Sequence, residues 1–356
     1  MENNAPTTTN KLLQAGVIVL ALAAIAYSVL SSEKCFNGNC SPGSCGNAKE
    51  GGAGAPINQS AYPDLSEYKK VDPALVTYSE VGRIKTGLAN ARGIAIGPGD
   101  AAYVVGDGVV IAFDAGGTAK SRTAIAGAAE CAAVAEDGNI YVGMKDHVEV
   151  YEEGGGRIAK WPSLGERAFI TCVSVADNDV FVADAGNQVI ARYDKSGSVV
   201  TRIGKQDDKR DVPGLRVPSH HLDVAIGHDD LIVVNNPGRQ KIEMYTYDGD
   251  IKESWGEHSA KLHGFPGCCN PTDIAVLQDG SILTGDKGLL RVRVFDSIGT
   301  LLGFVAVPAD FAAIERKIKA DTFAGLDLAV DSRGRILMLE PTAGEIVIFE
   351  RKQAGR

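Results

Sequence analysis

A repeated pattern of short apolar segments constrains the fold of this chain more than any other feature. Each copy opens with a strand of the type Ile-Ala-Val and reaches a third strand that ends in an aromatic residue. The opening segments are Ile94-Ala95-Ile96, Ala132-Ala133-Val134, Val173-Ser174-Val175, Val224-Ala225-Ile226, Ile274-Ala275-Val276 and Leu328-Ala329-Val330. The aromatic residues are Phe113, Tyr151, Tyr193, Tyr245, Phe295 and Phe349. Self-similarity at this spacing predicts a repeat fold.

Two copies of the pattern resemble the NHL repeat: residues 180–194 (VFVADAGNQVIARYD) and residues 273–296 (DIAVLQDGSILTGDKGLLRVRVFD). The resemblance covers about residues 80–350 and implies an all-β, six-bladed β-propeller with four-stranded antiparallel blades. Radial stacking supports this reading, because each sheet then covers its neighbour and leaves only short edges. The resemblance does not select a function. NHL proteins include protein-binding and RNA-binding modules, and relatives of similar shape include a peptide-amidating lyase, lactonases and strictosidine-synthase-like enzymes.

The last copy of the repeat lacks a fourth strand, since its third strand occupies residues 345–352. An extended stretch, residues 76–84, precedes the first copy. We therefore predict that this N-terminal strand pairs with the C-terminal blade and closes the ring.

The N-terminal region predicts a membrane anchor. Residues 12–30 carry no charge, and a helix of that length matches the ~30 Å apolar core of a bilayer. Cleavage after Ala24-Ile25-Ala26 is the alternative to a retained anchor. The predicted organisation is a tail (1–11), a transmembrane signal-anchor helix (12–31), a Cys/Gly-rich linker (32–62) and the propeller (63–356). The chain is then a single-pass membrane protein with its propeller in the periplasm or extracellular space.

The charge balance argues against a nucleic-acid partner. The net charge is -9, and no basic stripe accompanies it, whereas affinity for phosphates depends on Lys and Arg. The membrane and a protein partner are the partners that the sequence predicts.

Three long connections follow the fourth strands of the third, fourth and fifth copies: residues 204–223, 256–273 and 307–327. Long loops on a rigid scaffold often carry function, so we predict that a protein partner binds this face of blades 4–6. Residues 309–320 are predicted to form a short amphipathic helix over the rim. The ligand-binding candidates on the first two connections are His220, His221, His263, Cys268, Cys269 and Asn270.

The residue just before each opening segment should lie at the mouth of the channel. In chain order these residues are Gly93, Cys131, Cys172, Asp223, Asp273 and Asp327. Carboxylates suit calcium or magnesium, and thiols with imidazoles suit zinc or copper, so the two cysteines and three aspartates are candidate ligands for a divalent metal. The alternative is that each Asp bonds neighbouring backbone amides and each Cys is a small core residue.

The adjacent Cys268 and Cys269 are the most unusual local feature. They could form a strained vicinal disulfide that acts as a redox-sensitive switch or as a rigid apolar surface that contacts a ligand. The alternatives are two buried thiols, or a disulfide between one of them and Cys131 or Cys172. Any such disulfide requires an oxidising compartment.

Two functions are consistent with the sequence. The first is a binding or scaffold module for a cell-envelope or redox assembly, which needs no catalytic group. The second is a metal-dependent lyase or lactonase-like hydrolase with its site at the channel mouth, under the loops of blades 4–6.

Overall fold

The computed structural model describes residues 67–311 and 325–353, which belong to one compact unit, residues 55–356. Within those residues the chain forms six four-stranded antiparallel sheets, and strands adjacent in sequence are adjacent in each sheet. This is the predicted all-β, six-bladed propeller.

The strands are short and rich in β-branched and aromatic residues, as expected for half-buried sheets. Blade 1 contains β2 (Ala91–Gly97), β3 (Ala101–Gly106), β4 (Val109–Phe113) and β5 (Ala119–Ala124). Blade 2 contains β6 (Ala129–Val134), β7 (Ile140–Met144), β8 (Val148–Tyr151) and β9 (Arg157–Lys160). Blade 3 contains β10 (Ile170–Val175), β11 (Asp179–Asp184), β12 (Val189–Asp194) and β13 (Val199–Ile203).

The second half of the ring repeats this arrangement. Blade 4 contains β14 (Val224–Ile226), β15 (Leu231–Asn236), β16 (Lys241–Thr246) and β17 (Ile251–Trp255). Blade 5 contains β18 (Asp273–Val276), β19 (Ile282–Asp286), β20 (Arg291–Phe295) and β21 (Leu301–Ala306). Blade 6 contains β22 (Asp327–Val330), β23 (Ile336–Glu340), β24 (Glu345–Arg351) and β1 (Tyr78–Lys85). Short 3-10 turns occur at Glu67–Lys69, Pro73–Leu75, Pro98–Asp100 and Pro308–Phe311.

The N-terminal strand closes the ring, as predicted. β1 pairs antiparallel with β24, from Tyr78 opposite Arg351 to Lys85 opposite Glu345. The backbone N–H of Lys352 donates to the Thr77 carbonyl at 2.8 Å and extends the pairing by one residue. The last blade therefore takes its outer strand from the beginning of the propeller.

The hydrophobic core lies between the blades rather than at the centre of the ring. Adjacent blades share apolar clusters, such as the one that joins Leu339 and Ile346 of blade 6 to Val104 and Ile111 of blade 1. Each fully buried aliphatic side chain contributes roughly 1.5–3 kcal/mol relative to exposure. Because this stabilisation comes from contacts between neighbouring blades, the centre of the wheel remains available as a channel.

The long connections at residues 204–223 and 256–273 lead to the starts of β14 and β18, as predicted. The third leads to the start of β22, and its residues 312–324 lie outside the described residues. The predicted helix over residues 309–320 falls largely outside the described residues; its first part is the turn Pro308–Phe311, in which Phe311 is buried. The predicted tail, anchor helix and linker at 1–11, 12–31 and 32–62 also lie outside the described residues. Across residues 67–311 and 325–353, the longest helical segments are far too short to cross a bilayer.

Candidate functional site

The central channel is a cavity of about 980 Å³ lined by the first strands of all six blades. We call the end where the first strands begin the upper mouth, and the end where they finish the lower mouth. Polar side chains lie at the upper mouth. The lower mouth is lined by six partly buried β-branched residues: Ile96, Val134, Val175, Ile226, Val276 and Val330.

Bulges bring three polar side chains to the upper mouth in blades 1–3. The pairing of β2, β6 and β10 with the following strand shifts by one residue, which makes Arg92, Glu130 and Thr171 the extra residues. A bulge re-aims its side chain, and all three residues line the cavity. Burial raises the pKa of the Glu130 carboxyl, and the Arg92 charge opposes that shift.

Two histidines from the connection at residues 204–223 occupy the opposite side of the upper mouth. The His220 ring stacks on Phe169, with 3.7 Å between ring centroids and 13° between planes. Burial lowers the pKa of His220, so its imidazole is neutral at neutral pH. His221 is buried, and Gly325 lies beside its ring. The structure thus brings both predicted histidines to the cavity.

Asn235, the second-last residue of β15, fixes the positions of two long connections. Its side-chain amide donates to the carbonyls of His221 at 2.9 Å and Pro271 at 3.0 Å, and its Oδ1 accepts from the backbone N–H of Asp223 at 2.6 Å. The side chain is fully buried, so all three bonds form away from water. Asn235 therefore holds the histidine connection against the connection that precedes β18.

Just inside the upper mouth, the carboxylates of Asp223, Asp273 and Asp327 form what we call the acidic cluster. Asp223 accepts from the backbone N–H of Ile274 in the next blade at 2.7 Å, and Asp327 accepts from that of Ile94 at 2.6 Å. Two of the three aspartates therefore link adjacent blades, which is the alternative reading of these positions in the sequence. Asp273 differs, because its Oδ2 accepts no hydrogen bond from an N–H group in the described part of the chain. Its carboxyl group hydrogen-bonds instead with those of Asp223 and Asp327.

The acidic cluster perturbs its own protonation. Burial raises the pKa of Asp273 well above its usual range, and the charges of Asp223 and Asp327 raise it further. Burial also raises the pKa of Asp327 to about 7, with the charge of Asp223 acting in the same direction. Like charges in a shared buried site hold protons in this way, so the cluster retains protons near neutral pH.

Cys131 and Cys172 lie beside the acidic cluster as thiols without a disulfide. Burial raises the pKa of both thiols, followed by the charge of Asp327 for Cys131 and of Asp223 for Cys172. The Cys172 thiol donates to the Val224 carbonyl at 3.4 Å. These thiols are therefore protonated when no metal is present, and a metal that bound to them would have to displace their protons.

The geometry of the mouth does not present a converged ligand set for a divalent metal. Within residues 67–311 and 325–353, no group of three or more His, Cys, Asp or Glu residues is arranged to hold one. Both oxygens of Asp223 already accept backbone N–H groups, from Val224 and Ile274. The metal predicted from the sequence remains a prediction.

The other ligand-binding candidates lie away from the cavity lining. His263 is exposed and pairs with Glu257 at 3.0 Å. The Asn270 side chain donates to the carbonyls of Pro266 and Lys287 and accepts from the Lys287 N–H. Its hydrogen-bonding groups therefore serve the loop itself.

The adjacent cysteines are also absent from the cavity lining. The Sγ atoms of Cys268 and Cys269 lie 3.1 Å apart, which is a contact between thiols rather than a bond. The hydrogen bond to Cys268, and then burial, raise the pKa of the Cys269 thiol. The pair contributes to the loop before β18, and its redox role stays a prediction.

A buried ion cluster that the sequence did not reveal anchors this loop. Arg291 and Arg293 both donate to Asp286 Oδ2 at 2.8 Å, and all three side chains are 0% exposed. The two guanidinium groups also donate to the Gly264 carbonyl, at 2.6 Å and 2.9 Å. Burial lowers the pKa of Arg293 to about 9. Residues 256–272 are thereby held on the upper turn of blade 5.

Comparisons with known proteins agree with this fold. No family model matches the sequence, and no curated protein matches it. A streptogramin B lyase has a TM-score of 0.54 at 10% identity, over 79% of this chain and 100% of the lyase. A catalytically inactive histidine-to-alanine variant of virginiamycin B lyase from Staphylococcus aureus, with quinupristin, gives 0.51 at 11% identity, over 77% and 99%. A gluconolactonase from Xanthomonas campestris gives 0.56 at 15% identity, over 79% and 94%.

Identities at this level show a shared fold. The propeller is thus supported by its neighbours as well as by its own strand topology, whereas the NHL assignment stays a prediction.

Proposed function

We propose that the chain is a binding module that holds a ligand or a protein partner at the upper mouth of its channel. In this proposal the segment at residues 12–31 anchors it in a membrane, with the propeller in the periplasm or extracellular space. The observation that carries the proposal is the cavity of about 980 Å³, on whose upper mouth side chains from several blades converge. Ligand sites are typically concave, about 300–1,000 Å³ in volume, with a few placed polar groups.

The rigidity of the upper mouth also supports binding. The Asn235 side chain and the Arg291–Asp286–Arg293 cluster hold two of the long connections in fixed positions. A preformed site loses less conformational entropy when it binds. These polar groups bond mainly to backbone atoms. Their role is therefore to hold the loops of the upper mouth in place rather than to react with a substrate.

Site-specific photo-crosslinking tests the binding proposal. A photoreactive phenylalanine analogue replaces Arg92, which is exposed and lines the upper mouth. The matched control places it at Ile298, which is 66% exposed in a turn away from the channel. Irradiation of the full chain in its native membrane should give a defined adduct from position 92 and none of that mass from position 298. Equal adducts from both positions, or none from position 92, would contradict the proposal.

A second candidate function, a lyase or a lactonase-like hydrolase, is favoured by His220. A neutral imidazole at the edge of a cavity can accept a proton from a substrate, and burial lowers the pKa of this one. The neighbouring structures named as lyases and a gluconolactonase motivate the choice of substrates, a streptogramin B antibiotic and a gluconolactone.

Turnover measurements separate the two functions. If the enzyme reading holds, the purified full chain should convert one of these substrates, and His220→Gln should reduce kcat by about 100-fold or more, since general base catalysis contributes on the order of 10²–10⁴. His263→Gln, at an exposed position outside the cavity lining, should leave the rate unchanged. No turnover of either substrate would favour the binding module.

A further inference from the structure

The acidic cluster lacks a cationic counterpart in the described part of the protein. Asp273 is 7% exposed, lines the channel cavity and has an Oδ2 that accepts no hydrogen bond from an N–H group there. The partners of its carboxyl group are the carboxyl groups of Asp223 and Asp327. The influences that raise its pKa are burial and two further carboxylates. Buried carboxylates side by side cannot all stay charged, so protons lie among these oxygens when no ligand is bound, and a bound cation would replace them.

We propose that the acidic cluster binds the ammonium group of a ligand that enters through the upper mouth. This inference rests on the proposed binding function and names the chemical class of its ligand: a primary amine, free or on a lysine side chain. The ammonium would donate to Asp273 Oδ2 and to the outward lone pairs of Asp223 and Asp327. Charge-assisted bonds of this kind are about twice as strong as neutral ones.

The hydrogen bonds already present favour an ammonium over a guanidinium or a metal ion. A guanidinium binds best to a carboxylate that offers both oxygens side by side, and both oxygens of Asp223 accept backbone N–H groups. A divalent metal requires a close ligand shell, which the described residues do not provide. An ammonium has three donors and tolerates separate acceptors.

The two ends of the channel favour entry from the upper mouth only. Below the acidic cluster the wall carries small side chains, namely Ala95, Ala133, Ser174, Ala225, Ala275 and Ala329. The six β-branched residues of the lower mouth then present an apolar ring whose side chains offer a cation no hydrogen-bond acceptor. The upper mouth is polar, and the Phe169–His220 stack offers an apolar surface for the remainder of the ligand.

Calorimetry on the full chain in detergent tests the proposal, with n-butylamine as the probe near neutral pH. n-Butanol is the control of equal size without charge, and calcium chloride is the control for an inorganic cation. We expect n-butylamine to bind at one site per chain, n-butanol not to bind, and calcium neither to bind stoichiometrically nor to displace the amine.

Two variants locate the site. Asp273→Asn should weaken n-butylamine binding by about tenfold or more, as expected for a lost bond to a charged group. Asp327→Asn, which keeps an acceptor for Ile94, provides a second test if the first variant folds poorly. The matched control Asp208→Asn removes a carboxylate from an exposed loop position, where it accepts from Gln206, and should leave binding unchanged.

Unchanged affinity in both cluster variants, tighter binding of calcium than of the amine, or no amine binding to the wild-type chain would each overturn the proposal. None of these results bears on the crosslinking experiment at position 92, which tests occupancy of the upper mouth without assuming a charge. Failure of the ammonium proposal is therefore distinguishable from failure of the binding function.

Discussion

The two halves of the propeller build the same channel by different means. We call the residue just before each opening segment the ring position: Gly93, Cys131, Cys172, Asp223, Asp273 and Asp327. In blades 1–3 the first strands begin two residues before the ring position, which is a glycine or a cysteine, and the bulged residue lies between the two. In blades 4–6 the first strands begin at or just after the ring position, each ring position holds an aspartate, and a long connection precedes each strand.

This difference shows how one repeat can serve two purposes. The half with short connections supplies rigid walls and polar side chains aimed by bulges. The half with long connections supplies the histidines and the acidic cluster, and it needs buried polar groups to hold its loops. We expect stability and binding to respond differently to substitutions in the two halves.

The largest expected effect concerns the anchoring of the long connections. Asp286→Ala leaves Arg291 and Arg293 buried without their carboxylate, and removing one partner from a buried ion cluster typically costs about 3–5 kcal/mol. Asp107→Ala is the matched change in blade 1, where an exposed carboxylate accepts from the backbone N–H groups of Ala89 and Asn90. It should cost much less, because the exposed carboxylate and its partners can form hydrogen bonds with water instead. Thermal unfolding of both variants checks this difference, and equal losses would show that the halves are anchored alike.

A smaller effect, opposite in sign, is expected at the acidic cluster. The folded state raises the pKa of Asp273 and Asp327, so it binds protons that the unfolded chain releases, and this contribution to stability is lost as pH rises through about 7. Asp273→Asn should therefore stabilise the protein near pH 8, and the gain should shrink toward about pH 4, where unfolded carboxyls also take up protons.

Thermal unfolding across this pH range measures the effect. The charged and titratable groups around the cluster that could contribute to the profile are Arg92, Glu130, Cys131, Cys172, His220, His221, Asp223 and Asp327. A variant less stable than the wild type near pH 8 would show that Asp273 has a structural role that outweighs its charge.

The smallest expected effect is at His263. Its imidazole is exposed and pairs with an exposed Glu257, and such surface pairs contribute about 0–1 kcal/mol. His263→Ala should change stability by less than about 0.5 kcal/mol and leave amine binding unaltered. A clear loss of binding would place the outer part of residues 256–272 in the site.

The sequence predicted the repeat-level features of this molecule and missed those that depend on pairing register. Periodicity located the blades and the long connections, and the missing fourth strand of the last copy located the closing strand. The bulged Arg92, Glu130 and Thr171 sit one position before the ring residues, where only the strand pairing reveals which side chain is extra. That position is nevertheless polar in all three copies, a signal that could have drawn attention to it.

The candidate site residues also divide into those whose place at the channel the sequence predicted and those for which it did not. His220, His221 and the acidic cluster lie at the start of a first strand or in the turn just before it, and all of them line the channel. His263, Cys268, Cys269 and Asn270 share those connections but lie outside the cavity lining, because a long loop can place neighbouring residues in different environments. The Arg291–Asp286–Arg293 cluster is invisible in the sequence, where alternating arginines on a strand indicate an exposed face.

The closing strand has a consequence for how the protein is made. β1 leaves the ribosome first among the strands, yet its partner β24 follows 262 positions later, as the Arg83–Glu345 contact measures. At about 5–20 residues per second of synthesis, β1 waits on the order of tens of seconds with an open edge. Glu80, Arg83 and Lys85, together with the pairing irregularity at Glu80/Gly82, are the kind of features that discourage association with other nascent chains. The charges on this strand therefore protect its edge during synthesis as well as in the folded blade, where Arg83 pairs with Glu80 and Glu345.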